Sequence, residues 1–331
     1  MILLRGIDIR DNKKENLRSR INEIKEREGD SFIPPTLVIF QIGDNKASTV
    51  YIGQKKKFAE YIGAEVLHIM LPEYVSESDL IAEIQNYNND DSVHGIIVQL
   101  PLPRHLLVHN ITNAIDYRKD VDGLSSTSLG LLVQRNFKAD ESVGDSETSI
   151  FSVQAFNASE FLNEKIDKFK KTIFKGFIPA TAKGVLSLLN EYDIDVVGKR
   201  VCIIGRSVLV GKPIALVMLA KDATVTICHS KTFNLKEITK ASDILISAIG
   251  APGFIDKSFL SYDQILIDVG ITSVDISVGE SENLRKICGD FAFDDVSNVA
   301  KAITPVPGGV GPLTVASLFE NLFESFHDSL L

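Results

Sequence analysis

The sequence predicts an α/β protein of two domains, each built on a parallel sheet. Three observations carry that expectation. A chain of 331 residues is long for a single core and comfortable for two domains of ordinary size. Short apolar, β-rich runs alternate with helical stretches almost throughout, the rhythm of βα units. Several of those runs are apolar at every position instead of alternating, as strands buried on both faces require.

Taken in chain order, Thr36 to Phe40 (TLVIF) is the first such strand. A helix follows from Ser48 to Ile62, closed by Gly63 where a left-handed C-terminal cap belongs. Gly95 to Leu100 (GIIVQL) is the next strand, leaving the sheet through a Pro-rich exit. From about Asn136 to Lys171 the rhythm breaks. The chain turns polar and acidic (KADESVGDSETS), then amphipathic, with Phe161, Leu162, Ile166 and Phe169 at helical spacing. This stretch reads as an insertion, a loop and then a helix, near the junction of the two domains. Strands resume at Val201 to Ile204, Thr224 to Cys228, Asp243 to Ala248 and Gln264 to Val269. No internal repeat is present.

Composition narrows the function. The chain is 44% apolar and 24% charged, the balance of a soluble globular protein, and carries a formal charge of −9 with no dense Lys/Arg face. That argues against a nucleic-acid or anionic-membrane partner. Cys202, Cys228 and Cys288 are scattered and odd in number, with no CxxC pair, which fits a reducing compartment and argues against a disulfide framework or a metal site. The amino-terminal residues are only briefly apolar before Arg5 and Asp8, unlike a secretory signal, and no apolar run reaches membrane-spanning length. A cytoplasmic protein is expected.

The segment from Val201 to Pro213 (VCIIGRSVLVGKP) joins a buried strand to a helix through a glycine-rich turn. Glycines allow a tight turn and a close phosphate, and the helix N-terminus supplies free N–H groups. It is not a Walker A loop. Five residues, not four, separate Gly205 from Gly211, and Pro213 stands where the magnesium-binding hydroxyl would be. The second strand ends in Cys228-His229-Ser230-Lys231, without the acidic residue that reads an NAD ribose. With Arg206 in the turn, these groups suit a 2′-phosphate, hence NADP. By itself the pattern also fits a generic strand-to-helix turn.

Four further blocks resemble the methylenetetrahydrofolate dehydrogenase/cyclohydrolase family: Ser48 to Lys57 (STVYIGQKKK), Gly95 to Pro103 (GIIVQLPLP), Lys119 to Gly123 (KDVDG) and Thr304 to Thr314 (TPVPGGVGPLT). The turn GRSVLVGKP and the following TVTICHSKT match as well, so the resemblance runs from about residue 35 onward, interrupted by the insertion. Tyr51 and Lys55 are four apart on the predicted helix and share a face. In isolation the run Lys55-Lys56-Lys57 would read as a solvated helix surface. The resemblance instead implies that Tyr51, Lys55 and Gln99 stand together, with Lys55 as the acid/base group. Such a lysine has to be partly desolvated, lowering its pKa.

The same resemblance implies that Asp122 holds the pterin and completes a catalytic set with Tyr51, Lys55 and Gln99. Val98 and Leu100 would flank Gln99 against the substrate, and Pro307, Gly308, Gly309, Val310 and Gly311 would bring bare backbone to the folate. Gly205, Arg206, Ser207, Ser230 and Ile271 would receive the NADP. One departure stands out: this chain has Pro179-Ala180-Thr181-Ala182 where the family usually has Pro-Cys-Thr-Pro.

The implied fold places residues 1–133, rejoined by 304–331, in a folate domain. Residues 134–176 form the insertion and 177–303 a Rossmann-type NADP domain, with the active-site cleft between the two. The implied enzyme oxidises 5,10-methylenetetrahydrofolate with NADP and hydrolyses the methenyl product to 10-formyltetrahydrofolate, within one-carbon metabolism and purine biosynthesis, as a homodimer. Two rivals are a monofunctional dehydrogenase of the same fold and a nucleotide-sensing module without turnover; the intact Tyr51/Lys55/Gln99 set weighs against the first. Because no matched block lies inside the insertion, replacing Lys138 to Lys170 by a short Gly/Ser linker is expected to leave both activities within about tenfold of the parent. Complete loss of activity in a deletion that still folds by circular dichroism would place the insertion in the site.

Overall fold

The computed structural model describes residues 1–135, 176–278 and 282–330; the loop and helix expected over residues 136–171 lie outside the described residues. Elements are numbered over the described residues. The first unit is a three-stranded parallel sheet in the order β3-β2-β4. Its centre, β2 (Thr36–Ile42), is buried along its whole length and pairs in register Thr36 to Glu65 of β3 (Glu65–Leu71) and Leu37 to Gly95 of β4 (Gly95–Val98). Strand β4 stops short of the expected Leu100 because Pro101 and Pro103 cannot continue a ladder.

Around this sheet pack α1 (Gly6–Glu28), α2 (Lys46–Ile62), α3 (Glu77–Asn88), α4 (Val108–Ala114) and α5 (Ser126–Gln134). Helix α2 begins two residues before the sequence-based start, because the Asn45 side chain accepts from the Ser48 N–H at 3.1 Å and so caps the first turn. It ends on Gly63 at φ 82°, the left-handed cap that the sequence predicts.

The second sheet runs β1-β11-β8-β7-β5-β6, and every pairing in it is parallel. Its strands are β5 (Arg200–Ile204), β6 (Thr224–Cys228), β7 (Ile244–Ser247), β8 (Ile265–Asp268) and β11 (Ala302–Ile303). The sixth, β1 (Ile2–Leu3), pairs with β11, so the first residues of the chain belong to this sheet and not to the unit with which the sequence groups them. Two residues are too few to show periodicity. Helices α6 (Ala180–Glu191), α7 (Gly211–Ala220), α8 (Leu235–Lys240) and α9 (Phe293–Val296) flank it, and an antiparallel hairpin, β9 (Thr272–Val278) with β10 (Glu282–Cys288), projects from it.

The last helix, α10 (Val310–Ser329), binds the two units together. Its first turn places Val310 and Leu313 in the second core beside Val185 and Ile214. Further along, Phe319, Leu322 and Phe326 enter the first core with Leu37 and Ile39, and Phe319 stacks on Phe58 at 4.9 Å. Full burial of one such side chain is worth about 1.5–3 kcal/mol.

His94 closes that first core. It is buried, its Nδ1 accepts from the Thr36 N–H at 3.1 Å, and its ring meets Phe326 edge-on at 5.0 Å. Burial, reinforced by the Lys119 charge, pulls its pKa down to about 4. A depressed native pKa means that this contribution to stability is complete above the unfolded value of ~6.5 and is lost as pH falls toward 4. The stability gap between the parent and His94→Gln, a pH-silent acceptor, is therefore expected to change by ~2 kcal/mol in favour of the variant from pH 7.5 to pH 5, measured by denaturant unfolding. A gap independent of pH would show that His94 does not titrate in the native state.

Candidate active site

Three elements converge beside the carboxyl end of the first sheet. Helix α2 carries Tyr51 and, one turn later, Lys55. The chain leaving β4 carries Gln99, whose backbone N–H donates to Phe40 O at 2.8 Å and keeps it on the edge of β2. Lys55 Nζ donates to Gln99 Oε1 at 3.0 Å, and Gln99 Nε2 donates to Leu100 O at 3.0 Å, so the amide is oriented from both ends. Buried Ser48 places its hydroxyl 3.5 Å from the same Leu100 oxygen. Tyr51 is 40% exposed and offers its phenol to the open side. Val98, by contrast, lies in the apolar cluster of Val38, Phe40 and Ile96, with its side chain turned into the core.

Asp122 provides the opposing charge. Lys55 is half-buried along its stem, and desolvation of its ammonium lowers its pKa, opposed by the Asp122 charge. Desolvation raises the Asp122 carboxyl, opposed by Lys55. Each group is thus deprived of water and partly compensated by the other. The loop that carries Asp122 is pressed on the start of α6: Asp122 O accepts from Ala180 N at 3.3 Å. The next residue, Gly123, sits at φ 70°, and a Cβ there would come 2.9 Å from Pro179 N. Only glycine fits.

Asp120, two residues earlier, has a different task. It is buried, accepts from Leu124 N, Ser125 N and Ser128 Oγ at 3.2, 2.8 and 2.7 Å, and is pushed up to about 6 by burial. It holds the turn into α5 and does not face the cleft charge.

The glycine loop before α10 crosses between the units. Gly308 O accepts from Gly6 N at 2.9 Å, and a Cβ on Gly6 would lie 2.0 Å from Gly309 O. Gly308 adopts φ 108°. A Cβ on Gly311 would lie 2.9 Å from Ile271 Cδ1, so the expected folate loop and the expected cofactor residue Ile271 are neighbours. Pro307 is exposed, while Gly308, Gly309 and Val310 are buried.

In the second unit, Gly205 N donates to Cys228 O at 2.9 Å, which draws the ends of β5 and β6 together. Gly205 (φ 124°) and Gly211 are required by the protein's own backbone: a Cβ would come 2.5 Å from Ala248 O at the first and 2.2 Å from Gly205 O at the second. Ser207 Oγ accepts from Val210 N at 3.0 Å and from Gly211 N at 3.4 Å, leaving its own proton to donate. Arg206 and Ser230 are exposed at neighbouring strand ends, and Arg206 has no carboxylate partner among the described residues. Exposed donors at the carboxyl ends of parallel strands fit a phosphorylated dinucleotide.

Ala180 and Ala182, which replace the usual Cys and Pro, are buried in the first and second cores respectively; packing absorbs the change. Asn321 escaped the sequence reading. It is buried on α10, donates to Val121 O at 2.8 Å and Ile178 O at 2.9 Å, and accepts from Lys183 Nζ at 2.8 Å. Its signal was a polar residue between Phe319 and Leu322 on an apolar helix face. Among the described residues there is no group of three His, Cys, Asp or Glu side chains placed to hold a metal. A cavity lined by Lys199, Arg200, Lys240 and Asp243 lies at the amino-terminal end of the second sheet's strands, opposite these residues.

Comparison with known proteins agrees with this geometry. Residues 4–122 match the model of the tetrahydrofolate dehydrogenase/cyclohydrolase catalytic domain, and residues 179–330 match that family's NAD(P)-binding domain. The chain is 39% identical over 312 residues to the bifunctional protein FolD of Agathobacter rectalis, covering 94% of each. Among solved structures it is similar to a bifunctional FolD methylenetetrahydrofolate dehydrogenase/cyclohydrolase from Campylobacter jejuni, at 35% identity, 99% coverage of both chains and a TM-score of 0.80. It is also similar to a Trypanosoma brucei methylenetetrahydrofolate dehydrogenase-cyclohydrolase complexed with NADP cofactor and inhibitor, at 29% identity, covering 100% of this chain and 98% of that one, with a TM-score of 0.81.

Proposed function

The chain belongs to the tetrahydrofolate dehydrogenase/cyclohydrolase family, and from that premise we propose how its own residues divide the family's two reactions. The enzyme oxidises 5,10-methylenetetrahydrofolate to the methenyl compound with NADP and hydrolyses that to 10-formyltetrahydrofolate. The observation that carries the assignment of roles is the desolvated Lys55, bonded to Gln99 and charge-coupled to Asp122.

A bound NADP would supply the acceptor for the hydride of the methylene carbon. For that step the chain has only to position. Asp122 accepts hydrogen bonds from the pterin, Tyr51 covers the ring, Leu100 and the Pro307–Gly311 loop line the folate, and Ile271 keeps the two ligands in contact. Arg206, Ser207 and Ser230 hold the phosphate end beside Gly205. The reading divides the chain as 4–133 with 304–331 for folate, 134–176 as the insertion and 177–303 for NADP, residues 1–3 adding β1 to the second sheet. It takes the protein to be a cytoplasmic homodimer that supplies one-carbon units, purine biosynthesis included. Strand β3 supports the dimer, being a sheet edge with Leu67 and Met70 exposed.

Hydrolysis asks more of the protein. A water oxygen bonds to the methenyl carbon and gives up its first proton. The oxygen then forms the carbonyl double bond and releases its second proton to solvent as the bond from that carbon to one ring nitrogen breaks; the electron pair of that bond stays on nitrogen, and nitrogen takes a proton. Lys55 performs both transfers, first as amine and then as ammonium. Its lowered pKa makes the amine accessible at a lower pH than a solvated lysine would allow. Gln99 Oε1 holds the nitrogen in place between the two transfers.

Two measurements test these roles. Lys55→Met is expected to cut methenyl hydrolysis by about 10²–10⁴-fold and dehydrogenation less, so that methenyl absorbance persists, while exposed Lys57→Met stays near the parent. Hydrolysis at the parent rate in Lys55→Met would return Lys55 to a bystander. Arg206→Ala is expected to lose about 1.5–3 kcal/mol of phosphate binding, raising KM for NADP far more than for NAD. A parent enzyme that uses NAD and NADP equally would refute the cofactor assignment.

A further inference from the structure

Two buried carboxylates at the carboxyl end of the second sheet have no part in the roles above. Asp290, fully buried just after β10, accepts from Ser247 Oγ at 2.7 Å, Ile249 N at 2.9 Å and Ala251 N at 2.7 Å. Asp268, the last residue of β8, accepts from Gly270 N at 3.1 Å, Asp290 N at 3.0 Å and Phe291 N at 3.1 Å. Its own N–H donates to Thr304 Oγ1 at 2.7 Å. Two glycines make room for the pair. A Cβ on Gly270 would lie 2.3 Å from the Asp290 carboxylate, and one on Gly289 would lie 2.1 Å from Asp268 Oδ2.

The network fixes four segments at once: the exits of β7 and β8, the stretch 289–291, and Thr304 at the head of the glycine loop. Their position in the sheet gives them a purpose. Ser230 and Arg206 mark the phosphate end of the dinucleotide at β6 and β5. The strand order β8-β7-β5-β6 therefore lays the other end over the exits of β7 and β8. Gly270 leads directly to Ile271, which touches the folate loop at Gly311. Keeping two carboxylates out of water is costly; burial, with the Asp290 charge adding, pushes Asp268 up to about 7.

We propose that Asp268 and Asp290 are positioning residues for the oxidative reaction alone: they lock the backbone after β7 and β8 in the conformation that seats the nicotinamide end of the cofactor against the folate loop. The inference rests on the functional reading above. It separates from a merely structural role because hydrolysis of the methenyl compound needs no cofactor.

The test uses the full-length enzyme with Asp290→Asn and the milder Ser247→Ala, which removes one donor to Asp290. Dehydrogenation is assayed against NADP concentration, and hydrolysis is assayed on added methenyltetrahydrofolate without cofactor. Asp290→Asn is expected to raise KM for NADP at least tenfold and Ser247→Ala about threefold, with hydrolysis changed less than threefold in both. Parallel loss of both reactions, or an unchanged KM for NADP in both variants, overturns the proposal. If Asp290→Asn does not fold, Ser247→Ala decides alone: an unchanged KM overturns it. A parent enzyme without NADP-dependent oxidation would refute the functional reading instead.

Discussion

A lysine ammonium and an aspartate carboxylate, each short of water and each partly compensated by the other, set the terms for the rest of this molecule. Lys55 and Asp122 come from a helix and a loop far apart in sequence, and neither remains where it is by its own attraction. Attraction between two charges removed from solvent roughly balances their desolvation cost, so their geometry has to be imposed from outside. Gln99 imposes it on the lysine through one bond of 3.0 Å. Gly123, Ala180 and Asn321 impose it on the aspartate by clamping the loop between α6 and α10. The chemistry therefore sits on the first sheet, while much of the scaffold that orients it comes from the far end of the chain.

How much of this could be read from the sequence depends on the range of the interaction responsible. The buried strands were legible because Leu37 to Phe40 and Ile244 to Ile246 are apolar without interruption, and Gly63 announced the end of α2. Lys55, Gln99 and Asp122 were legible only as members of recognisable blocks, because nothing in the run Lys55-Lys56-Lys57 distinguishes one ammonium from its neighbours. The structure distinguishes them: Lys55 turns inward to Gln99, whereas the Lys56 ammonium lies 3.3 Å from His68 Nδ1 on the sheet edge. Strand β1 could not be foreseen from two residues. The hairpin β9–β10 could have been, since Val274, Ile276 and Val278 alternate with polar residues at the period of a strand. Asn321 and the Asp268–Asp290 pair depend on contacts across long stretches of chain and leave only a polar residue in an apolar setting as their trace.

The glycines show how a correct motif can carry an incomplete reason. The turn after β5 was expected to be glycine-rich so that a phosphate could approach. At Gly205 and Gly211 the close neighbours are Ala248 O and Gly205 O, parts of the protein itself. The turn is tight first because two strand ends and a helix start share one small volume. Ser207 follows the same logic, capping α7 with its oxygen lone pairs while its proton remains free.

Helix α10 has a consequence for how the chain reaches its shape. Leu37, Ile39 and Ile97 belong to a strand core that is closed by Phe319, Leu322 and Phe326, more than two hundred residues later, while β1 waits for β11. On a ribosome the first sheet therefore emerges without its lid, its apolar face open while the dinucleotide unit is still being made. Contacts of such sequence separation are slow to form and leave sticky intermediates meanwhile. The half that carries Lys55 is synthesised before the helix that closes it, and its maturation in the cell waits for the arrival of α10.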